Sequence, residues 1–546
     1  GFRWEEREGD AITSFRTAWA TASGSGVLAG TGTVGDTRIH DGGTLSPGHN
    51  SVGTFNVDGD LYFNAGGVGR EHVDTKSWLA VDLRADGEAD KVKVSGAAFI
   101  GHGASTEGEQ GDTGVRVNTL DPHTSYQIGQ RYTVLEAEGG ITGGFNDVES
   151  NSAFITGALV QTDNAVHLDI ALIEEESAEA EGAENNAPPI VFGRVARSSN
   201  QRAVAAALDS LPQSGDALVL YNQLLMQDEE SAVRAFDELS GELHASTRAM
   251  LLRDDFLRAG VLSHLRTGPA DEGYGSRAWI TGNGQSRSQR SDGNAATRRD
   301  HSEGLLLGYD FSFGEGWTVG AAGGRQSLRQ NVRDRTSRSE VDALHGGMYA
   351  AFRRDALWLR GGVSYTDYDV DTERTLGEGQ PWEQTLTARY KAHAVSTFTE
   401  AGFDLELQSL TLTPYLGIAQ TTLSTGQATE AAGSAALALL PTRDQVWTTT
   451  AGVRSAWDLR DRARVEGGLA WQNTSGDRRT STTQIFATGS DLFTVHAVPL
   501  ARNVALAELG VVLSPTTNSR VNLFMQGHRG GGERGFAAQA SWNVMF

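Results

Sequence analysis

Hydrophobic and polar residues alternate along the second half of the chain, from about residue 274 onward. From Leu357 to Tyr365 the odd positions are apolar or glycine, whereas Arg360 and Ser364 occupy even positions. Because successive side chains of a β-strand point to opposite faces, this pattern predicts strands with one apolar and one polar face. About 12 such segments recur, an even number that suits a single-chain barrel. They centre on Ala278, Tyr309, Val319, Met348, Leu359, Phe403, Leu416, Val453, Leu469, Leu509, Leu523 and Trp542.

The charged residues on the second face decide between two architectures. A soluble sandwich also buries one face of each strand and wets the other, so it remains an alternative. The alternating strands, however, run through roughly 270 residues, and little other sequence is left to build a separate core. We therefore predict that the apolar faces meet lipid and the charged faces line a wet lumen. The predicted fold class is all-β, a transmembrane β-barrel of about 12 antiparallel strands.

Composition excludes several other classes. The chain has 69 acidic and 46 basic residues and a net charge of −23, so it lacks the positive charge that nucleic-acid binding needs. Cysteine is absent, which suits a chain that crosses an oxidising compartment before folding. The longest apolar run, AALALL, is far too short for a transmembrane helix. The first residue is Gly1 and not Met, and we expect that an export signal is missing from this sequence.

A helical period replaces the strand period between residues 200 and 266. Ser240 suits the N-cap of a helix over GELHASTRAMLLRDDFLRAG. A helix of about 20 residues is roughly 30 Å long, the thickness of the hydrocarbon core. We predict that it threads the lumen and pairs its charges with those of the strands; a helix pair packed below the barrel is the alternative. The predicted pore-helix residues are Ser240, Leu243, Arg248, Met250, Arg253, Asp254, Leu257 and Arg258.

An acidic stretch and a glycine-rich region precede the helix. Residues 174–186, EEESAEAEGAENN, lack large apolar side chains and are typical of a solvated, flexible linker. Residues 24–170 contain short apolar segments separated by Gly and Asn, which favours the rungs of a β-solenoid (β-helix) over a sandwich. The predicted domains are the solenoid at 1–170, an acidic linker at 171–199, a helical linker with the pore helix at 200–268 and the barrel at 269–546.

The chain ends in ASWNVMF, residues 540–546, with an aromatic last residue. Alternate side chains of this segment share one face of a strand, which predicts a final barrel strand with its apolar face in lipid. The end also resembles the signal that the outer-membrane assembly machinery of Gram-negative bacteria recognises, although serine stands where glycine is more usual. The predicted signal residues are Gln539, Ser541, Trp542, Val544 and Phe546.

Three stretches, in this order along the chain, resemble parts of the autotransporter family. SPGHNSVGTFNVDGD, followed by DKVKVSG, is similar to the end of a passenger that seeds folding of its β-helix. FDELSGELHASTRAMLLRDDFLRAG resembles the helical segment that this family places inside its barrel, and the C-terminal strands resemble its translocator. The likeness is to the monomeric, pertactin-like class of type V secretion and covers about Gly42 to Phe546. It assigns the folding seed to Gly42, Gly43, Pro47, Gly48, Gly53, Gly59 and Gly96.

The resemblance implies a non-enzymatic translocator in the outer membrane of a Gram-negative bacterium, which moves or displays its own passenger on the cell surface. The implied partners are outer-membrane lipids and lipopolysaccharide, the barrel assembly machinery and periplasmic chaperones. A monomer is implied, without cofactor, metal or nucleic acid. Two other functions remain open: an adhesin whose passenger stays uncleaved, and an outer-membrane porin plugged by the helix.

Two motifs could in principle bind a ligand. GTGTVG, residues 30–35, fits the dinucleotide fingerprint, but no helix pattern follows it, so solenoid turns explain the glycines. Asp367, Asp369 and Asp371 alternate, but no calcium-loop pattern completes them, and an acidic solvated loop is favoured. His244 lacks the second histidine of a zinc helix. We predict no metal or cofactor site.

Motifs of nucleophilic catalysis are also missing from the sequence. It contains no G-x-S-x-G elbow, no cysteine, and neither the Gly-Asp-Ser-Leu nor the Gly-Asp-Ser-Gly block of the enzymatic passengers in the family it resembles. We therefore predict that the chain is not an enzyme and that any catalytic passenger precedes Gly1. Some members of that family cleave between two asparagines of the pore helix. The Asn185-Asn186 pair lies in the acidic linker instead, so this self-cleavage is not carried over.

Overall fold

The computed structural model describes the chain except residues 1–2, 9–10, 18, 49–50, 64–75, 85, 102–111, 120–129, 174–190, 268–274, 315, 381, 432 and 461. The chain divides into two compact units. The first comprises Gly1–Ala196 with Leu208–Arg234, and the second comprises Arg197–Ala207 with Ala235–Phe546. The domain limits given above remain predictions.

The first unit contains eighteen strands in its described residues. They are β1 Arg3–Glu8, β2 Ala11–Thr17, β3 Trp19–Ala22, β4 Val27–Gly30, β5 Thr33–Val34, β6 Asp36–Ile39, β7 Thr44–Pro47, β8 Thr54–Val57, β9 Leu61–Phe63, β10 Ser77–Leu83, β11 Lys91–Val94, β12 Ala98–Ile100, β13 Thr113–Thr119, β14 Arg131–Ala137, β15 Ile141–Gly143, β16 Asp147–Ser150, β17 Ile155–Gln161 and β18 Ala165–Leu172.

Strands β3 to β16 form a β-solenoid, as the sequence predicts. Each turn of the chain adds one strand to each of three sheets, which run β4-β7-β10-β13-β16, β5-β8-β11-β14 and β3-β6-β9-β12-β15 with parallel pairing. Strands β17 and β18 form an antiparallel hairpin whose second strand pairs with β14. Stacked rungs place equivalent residues above one another, so each rung completes the core of the next.

Apolar columns run through the interior of the solenoid. Leu45 pairs in register with Leu79, and Leu79 with Val115. All three side chains are buried, while the intervening positions along each strand face outward. Alternation along these short strands therefore fills the solenoid core.

The predicted seed glycines lie at corners where neighbouring rungs approach closely. Gly48 has a φ of +73°, in the left-handed region, and a Cβ there would lie 2.1 Å from the carbonyl oxygen of Ser51. At Gly96 a Cβ would lie 2.2 Å from Oδ1 of Asp60 and 2.6 Å from the carbonyl oxygen of Gly59. A side chain at either position would push adjacent backbone apart. The seeding role of these residues remains a prediction.

Asp90 links the segment that contains the seed to a later rung. Its Oδ1 accepts a 2.7 Å hydrogen bond from the backbone N–H of Gly53, and its Oδ2 accepts one of 3.0 Å from that of Asp82. The side chain is fully buried. Burial raises the pKa of Asp90 from its ordinary value to about 7, although the two N–H donors act in the opposite direction.

In sequence, the helices follow the solenoid strands and precede the barrel strands. They are a 3₁₀ turn at Gly193–Val195 and α1 Ser199–Asp209, α2 Gly215–Leu225, α3 Glu229–Leu239, α4 Glu242–Leu252 and α5 Phe256–Thr267. No helix in the described part of the chain is long and apolar enough to cross a membrane.

The second unit is a closed antiparallel barrel of twelve strands, which confirms the predicted fold class. Every predicted centre lies in its own strand. The long strands are β19 Gly275–Gln289, β20 Arg298–Phe313, β21 Trp317–Val332, β22 Ser337–Arg354, β23 Leu357–Leu376, β24 Gln384–Phe403, β26 Leu410–Thr425, β29 Thr442–Arg460, β30 Ala463–Gly476, β33 Asn503–Thr516, β34 Ser519–Gly530 and β35 Glu533–Met545. Short strands are β25 Leu405–Leu407, β27 Ala428–Thr429, β28 Leu437–Leu439, β31 Ser481–Phe486 and β32 Phe493–His496.

The first and last long strands close the barrel. Strand β35 pairs with β19 from Arg277↔Met545 to Gln289↔Glu533. The outer face is apolar, as predicted: Leu359, Leu469 and Trp542 are among its many exposed large side chains. A barrel with this face in lipid leaves no strand edge unpaired, which the hydrocarbon core requires.

The four short strands β27, β28, β31 and β32 form a separate sheet, which we call the cap sheet. They come from the two longest connections of the barrel, residues 426–441 and 477–502, and pair antiparallel. Sequence alternation did not indicate this sheet, because each of its strands is too short to show a period.

We expect the stability of the solenoid to fall as the pH rises from about 4 to about 7, because burial raises the pKa of Asp90. In this range the folded protein keeps the Asp90 proton, whereas the unfolded chain has lost it, so raising the pH favours unfolding. Urea unfolding of the full chain, followed by far-UV circular dichroism across this pH range, measures the slope.

In Asp90→Asn this component of the slope should disappear, whatever the change in absolute stability. Asp86→Asn, in an exposed turn of the same rung, is the matched control and should keep the wild-type slope. An unchanged slope in Asp90→Asn would contradict the assignment.

Candidate functional site

The barrel has two different ends. At one end adjacent strands join through short connections, such as residues 355–356 and 517–518. At the other end lie the longer connections, including those that build the cap sheet. Leu243 in α4 packs with Ala296 and Val332 at the long-connection end. His264 in α5 contacts Asp310 and Asn543 near the short-turn end. The chain thus passes through the lumen from the long-connection end to the short-turn end and then enters β19.

The lumen holds two helices where a single helix of about 20 residues was predicted, so that detail was wrong. Helices α4 and α5 are separated at residues 253–255. Ser240 is also not the N-cap. Gly241 takes that position with a φ of +62°, while Ser240 Oγ donates to the carbonyl of Asp237. A Cβ at Gly241 would lie 2.4 Å from Cδ1 of Leu437 in the cap sheet, which explains the glycine.

A buried carboxylate, Glu430, joins α4 to the cap sheet and to the barrel wall. Its two oxygens accept hydrogen bonds of 2.6 and 2.7 Å from Arg374 of β23. Glu430 also contacts Nε2 of His244 at 3.0 Å and accepts from the backbone N–H of Leu437 at 2.9 Å. The side chains of Arg374 and Glu430 are each only 1% exposed. Because this pair is buried and fully hydrogen-bonded, removing one partner would leave the other charge buried without a counter-charge.

The same arginine holds the chain as it enters the lumen. Nη1 of Arg374 donates to the carbonyl of Glu238, and Nη2 donates to the carbonyl of Ala435, both at 2.9 Å. Nε2 of Gln484 in the cap sheet donates to the carbonyl of Ser240 at 2.5 Å, and Thr480 donates to that of Ala245 at 2.9 Å. Residues 238–245 are therefore hydrogen-bonded by Arg374 of β23 on one side and by Thr480 and Gln484 on the other. We call these contacts the entrance clamp.

Charged contacts continue along α4. Arg248 pairs with Asp444 and donates to Thr425, both on the barrel wall. Arg298 and Gln330 donate to the carbonyl of Ser246, at 3.0 and 3.1 Å. Because α4 is buried at every position, polar strand residues have to satisfy its polar groups.

The break between the helices places opposite charges against different parts of the wall. Arg253 donates to Glu533 of β35 at 2.5 Å. Asp254 accepts a 2.8 Å bond from Tyr368 of β23. In a continuous helix the side chains of these two adjacent residues would point only about 100° apart. The break allows Arg253 to reach β35 and Asp254 to reach β23.

Helix α5 packs against one side of the lumen. Its residues Phe256, Leu257 and Val261 form a buried cluster with Trp279, Leu306, Ala322, Tyr349, Phe398 and Ala419 of the wall. Near its end Arg266 donates to Glu508 at 2.8 Å. Arg454 then bridges Glu508 at 3.3 Å and binds both oxygens of Glu400 at 2.9 Å.

A cavity of about 180 Å³ remains in the lumen beside α5. Arg258 and Arg266 of the helix line it together with Tyr415, Arg454 and Glu508 of the wall. The cavity has charged groups in its lining and is large enough for several water molecules. The lumen is therefore plugged without being completely filled.

The predicted pore-helix residues come together in the lumen, apart from Ser240, which precedes the first residue of α4. Leu243, Met250 and Leu257 are buried, and Arg248, Arg253 and Asp254 each bond a strand. Arg258 pairs with Asp255 of the neighbouring turn at 3.3 Å. Their role as a pore helix remains a prediction. The sequence pattern missed the strand and loop partners, Arg374, Glu430 and Glu533, because nothing in the spacing marks one inward charge among many.

The predicted C-terminal signal residues lie on β35 or directly after it. Trp542 is exposed on the outer face, and its indole donates to Ser519 at 2.8 Å. Ser541 points inward and accepts from Asn522 at 2.9 Å. The backbone N–H of Phe546 donates to the carbonyl of Ser276 at 3.0 Å. Gln539 lines the lumen cavity.

The aspartates of β23 are paired with cations of the next strand. Asp369 contacts Lys391 at 3.1 Å, and Asp371 contacts Arg389 at 2.5 Å. These pairs are exposed. Cross-strand ion pairs account for Asp369 and Asp371, whereas Asp367 accepts a 3.0 Å hydrogen bond from the hydroxyl of Tyr365.

Residues 278–527 match the family model described as "Autotransporter beta-domain". Two curated proteins of Serratia marcescens, each named "Extracellular serine protease", are 27% and 26% identical over 552 and 535 residues. The alignments cover 91% of this chain in both cases and 49% and 50% of the relatives. The chain thus spans about half the length of the curated relatives it matches.

Solved structures also match part of this chain. The translocator domain of autotransporter NalP from Neisseria meningitidis has a TM-score of 0.45 and 14% identity, covering 55% of this chain and 98% of that one. The transport unit of autotransporter AIDA-I from Escherichia coli has a TM-score of 0.39 and 16% identity, covering 57% and 99%.

The names of the curated relatives overturn one expectation. The sequence motifs predicted a chain without enzymatic activity, yet relatives aligned over 91% of it are named extracellular serine proteases. The prediction was wrong because it relied on motifs within these residues, while the relatives extend well beyond the aligned part.

We expect Glu430→Gln to loosen the entrance clamp and to raise the frequency of channel openings in planar bilayers. The change leaves the guanidinium of Arg374 buried without its counter-charge, which costs about 3–5 kcal/mol. Single-channel recording of the purified protein measures the opening frequency.

Glu373→Gln is the matched control, since Glu373 precedes Arg374 on β23 but pairs with Arg338 in an exposed position. An exposed pair contributes about 0–1 kcal/mol, so this variant should remain as closed as the wild type. If Glu430→Gln were equally closed, the clamp would not hold the helix in the lumen.

Proposed function

The barrel of this chain is an autotransporter β-domain, and we propose that it delivers the residues N-terminal to it to the bacterial surface. Such a domain is located in the outer membrane of Gram-negative bacteria. We propose in addition that the solenoid is exported and displayed outside the cell.

The path of the chain through the lumen supports this function best. The segment N-terminal to the barrel enters at the long-connection end, and α5 leads to β19 at the short-turn end. Outer-membrane barrels have short periplasmic turns and long outer loops. With this orientation, the chain enters the lumen from the outer side, where an exported segment has to arrive.

Folding of the solenoid is our proposed source of directional bias. Its rungs bury apolar columns such as Leu45, Leu79 and Val115 only when they stack. A rung that has folded outside is too wide to slide back into a lumen of this size, so each folded rung opposes return. The corner glycines, including Gly48 and Gly96, would allow the first rungs to stack.

The residues at the end of β35 are proposed to guide assembly of the barrel. Trp542 presents an aromatic side chain on the outer face of the strand that pairs with β19. The assembly machinery, periplasmic chaperones and outer-membrane lipids are the proposed partners of the chain during this step.

A second candidate activity concerns the exported cargo. The names of the Serratia relatives favour a serine protease as the activity of the whole protein. In this proposal the described chain exports and presents the protease.

We expect an epitope tag placed before Gly1, behind an export signal, to be digested by protease added to intact Gram-negative cells. A fragment containing the barrel strands should resist, because lipid and the closed sheet protect it. Immunoblotting of the treated cells provides the measurement.

Gly96→Val tests the folding bias in the same assay, since its side chain would collide with Asp60 and Gly59. We expect less tag at the surface, with the barrel fragment unchanged. A tag that is digested only after the outer membrane is breached would place the N-terminal region in the periplasm and refute the export proposal.

For the second candidate, we expect a fluorophosphonate probe to label the protein as its own cells produce it. Serine hydrolases react with this probe through an activated serine. In-gel fluorescence should show one labelled band, which should be absent when the sample is heat-denatured before the probe is added. Absence of a labelled band from a protein shown by immunoblot to be exported would contradict a serine protease.

A further inference from the structure

A groove runs along the lipid-facing side of the barrel at the seam between β19 and β35. Its volume is about 890 Å³. The floor is made of two pairs of small residues that lie directly opposite each other on these strands, Gly284 with Ala538 and Gly282 with Ala540. Because glycine and alanine project little from a sheet, the lipid-facing surface is recessed where these pairs meet.

Larger side chains border the groove. Leu523 and Met525 of β34 and Leu509 of β33 line it on one side and are exposed on the lipid-facing surface. On the other side lies Glu303 of β20, which pairs in register with Gly284. Dispersion attraction acts only between atoms in close contact. A hydrocarbon chain lying in the groove therefore gains contacts that a flat wall does not offer.

The groove lies just below the edge of the apolar band at the long-connection end of the barrel. The outward-facing side chains of β35 are apolar from Val544 to Phe536, and the next outward-facing side chain is that of Arg534. About ten residues of a strand tilted by about 40° advance roughly 25 Å across the membrane, which is the height of the apolar band in such barrels. Arg534 is therefore at the level of the lipid headgroups.

Arginines follow one another across the sheet at this level. Arg534 lies directly opposite Arg529 of β34, and Arg299 of β20 is on the same row, separated from Arg534 only by Ser288 of β19. The three arginine side chains are exposed, and none of them forms an ion pair with a described residue. We call them the arginine row. Like charges that lie directly opposite each other on a sheet repel, so a bound anion would stabilise this row.

Two outward-facing arginines elsewhere on the barrel have carboxylate partners on the neighbouring strand. Arg338 pairs with Glu373 at 2.9 Å, and Arg389 pairs with Asp371 at 2.5 Å. Each of these pairs is neutral within the sheet. The arginine row has no such partner in the described part of the chain, and its charge is therefore complemented by a group from outside the protein.

We propose that the groove and the arginine row together bind one molecule of lipid A, the phosphorylated glycolipid of the outer leaflet. The phosphates bind Arg529 and Arg534, and an acyl chain lies over Gly284 and Ala538. A guanidinium binds a phosphate through two parallel hydrogen bonds, which are stronger than those between neutral groups. The inference rests on the orientation given under the proposed function, which places the long-connection end outside the cell.

Native mass spectrometry of the purified full chain in detergent tests the site. The probes are bisphosphorylated lipid A, lipid A without phosphates, and phosphatidylglycerol. We expect one molecule of bisphosphorylated lipid A per chain, bound at least about tenfold more tightly than either of the other two. Equal retention of lipid A without phosphates, or of phosphatidylglycerol, would overturn the proposal.

The double variant Arg529→Gln, Arg534→Gln assigns the phosphate contacts. We expect it to lose the preference for bisphosphorylated lipid A, while its binding of lipid A without phosphates stays unchanged. The double variant Arg338→Gln, Arg389→Gln is the matched control, because it removes the same number of outward-facing arginines from existing ion pairs. This control should keep the preference. An undiminished preference in the first variant would refute the role of the arginine row.

The double variant Ala538→Leu, Ala540→Leu fills the floor of the groove and leaves the arginines in place. We expect it to weaken the binding of both forms of lipid A. Ala321→Leu is the matched control, because Ala321 is exposed on the lipid-facing side of β21 and does not line the groove. Heat-modifiable mobility on gels establishes that each barrel is folded.

Unchanged lipid A binding in the folded groove variant would show that the acyl chain lies elsewhere, and the groove would be refuted as its site. A dimer that forms in the wild type and is lost in this variant would assign the groove to a second copy of the chain instead. Lipid binding is measured on purified protein and does not depend on export. Absence of lipid selectivity combined with normal digestion of the surface tag would therefore overturn the lipid site alone.

The opposite combination, lipid selectivity with a tag that is protected in intact cells, would count against export and leave the lipid site standing.

Discussion

The need to pair every charge inside the barrel is the constraint on which the second unit depends. Strands whose apolar face meets lipid have to turn their other face inward, and here that face carries arginines and carboxylates. A buried charge without a partner is several times costlier than a neutral polar group. Arg374 with Glu430, Arg253 with Glu533 and Arg454 with Glu400 each neutralise one another. The two helices are thus part of the charge balance of the lumen as well as its plug.

The two units solve the problem of exposed strand edges in different ways. The barrel pairs β19 with β35 and has no edge left. The solenoid cannot close on itself, because its sheets grow along its axis, and it ends at a last rung. Residues 191–196 and α2 cover that end through Phe192 and Tyr221. Both solutions use residues distant in sequence, so neither unit is complete until the chain has been made beyond it.

The regular parts of this fold could be predicted from the sequence, and the irregular parts could not. Alternation of apolar and polar residues predicted all twelve long strands and their lipid-facing sides. The alternation is clear because every second residue along each strand faces lipid. The break at residues 253–255 was missed, since DD between apolar residues still fits a helical period. The cap sheet was missed because strands such as Leu437–Leu439 are too short for any period.

Candidate-site residues followed the same division. Leu243, Met250 and Leu257 were found through their spacing along a helix, whereas Glu430 lies in a polar connection and its importance comes from Arg374, far away in sequence. Gly241 was passed over in favour of Ser240, since capping preferences favour serine and do not reveal that Leu437 occupies the space of a side chain. Pairing and close approach are properties of the folded state, which one sequence does not display.

Closure of the barrel and filling of its lumen are coupled through the last strand. Glu533 and Asn543 both lie on β35, where they bond Arg253 at the helix break and His264 in α5. His264 also bonds Asp310 of β20, and Arg277 of β19 donates to the same carboxylate at 2.7 Å. The seam between β19 and β35 is thus spanned from inside by α5. Before β35 pairs, Arg253 lacks its carboxylate; before the helices dock, Glu533 and Asp310 lack part of their positive charge. Each step therefore makes the other more favourable.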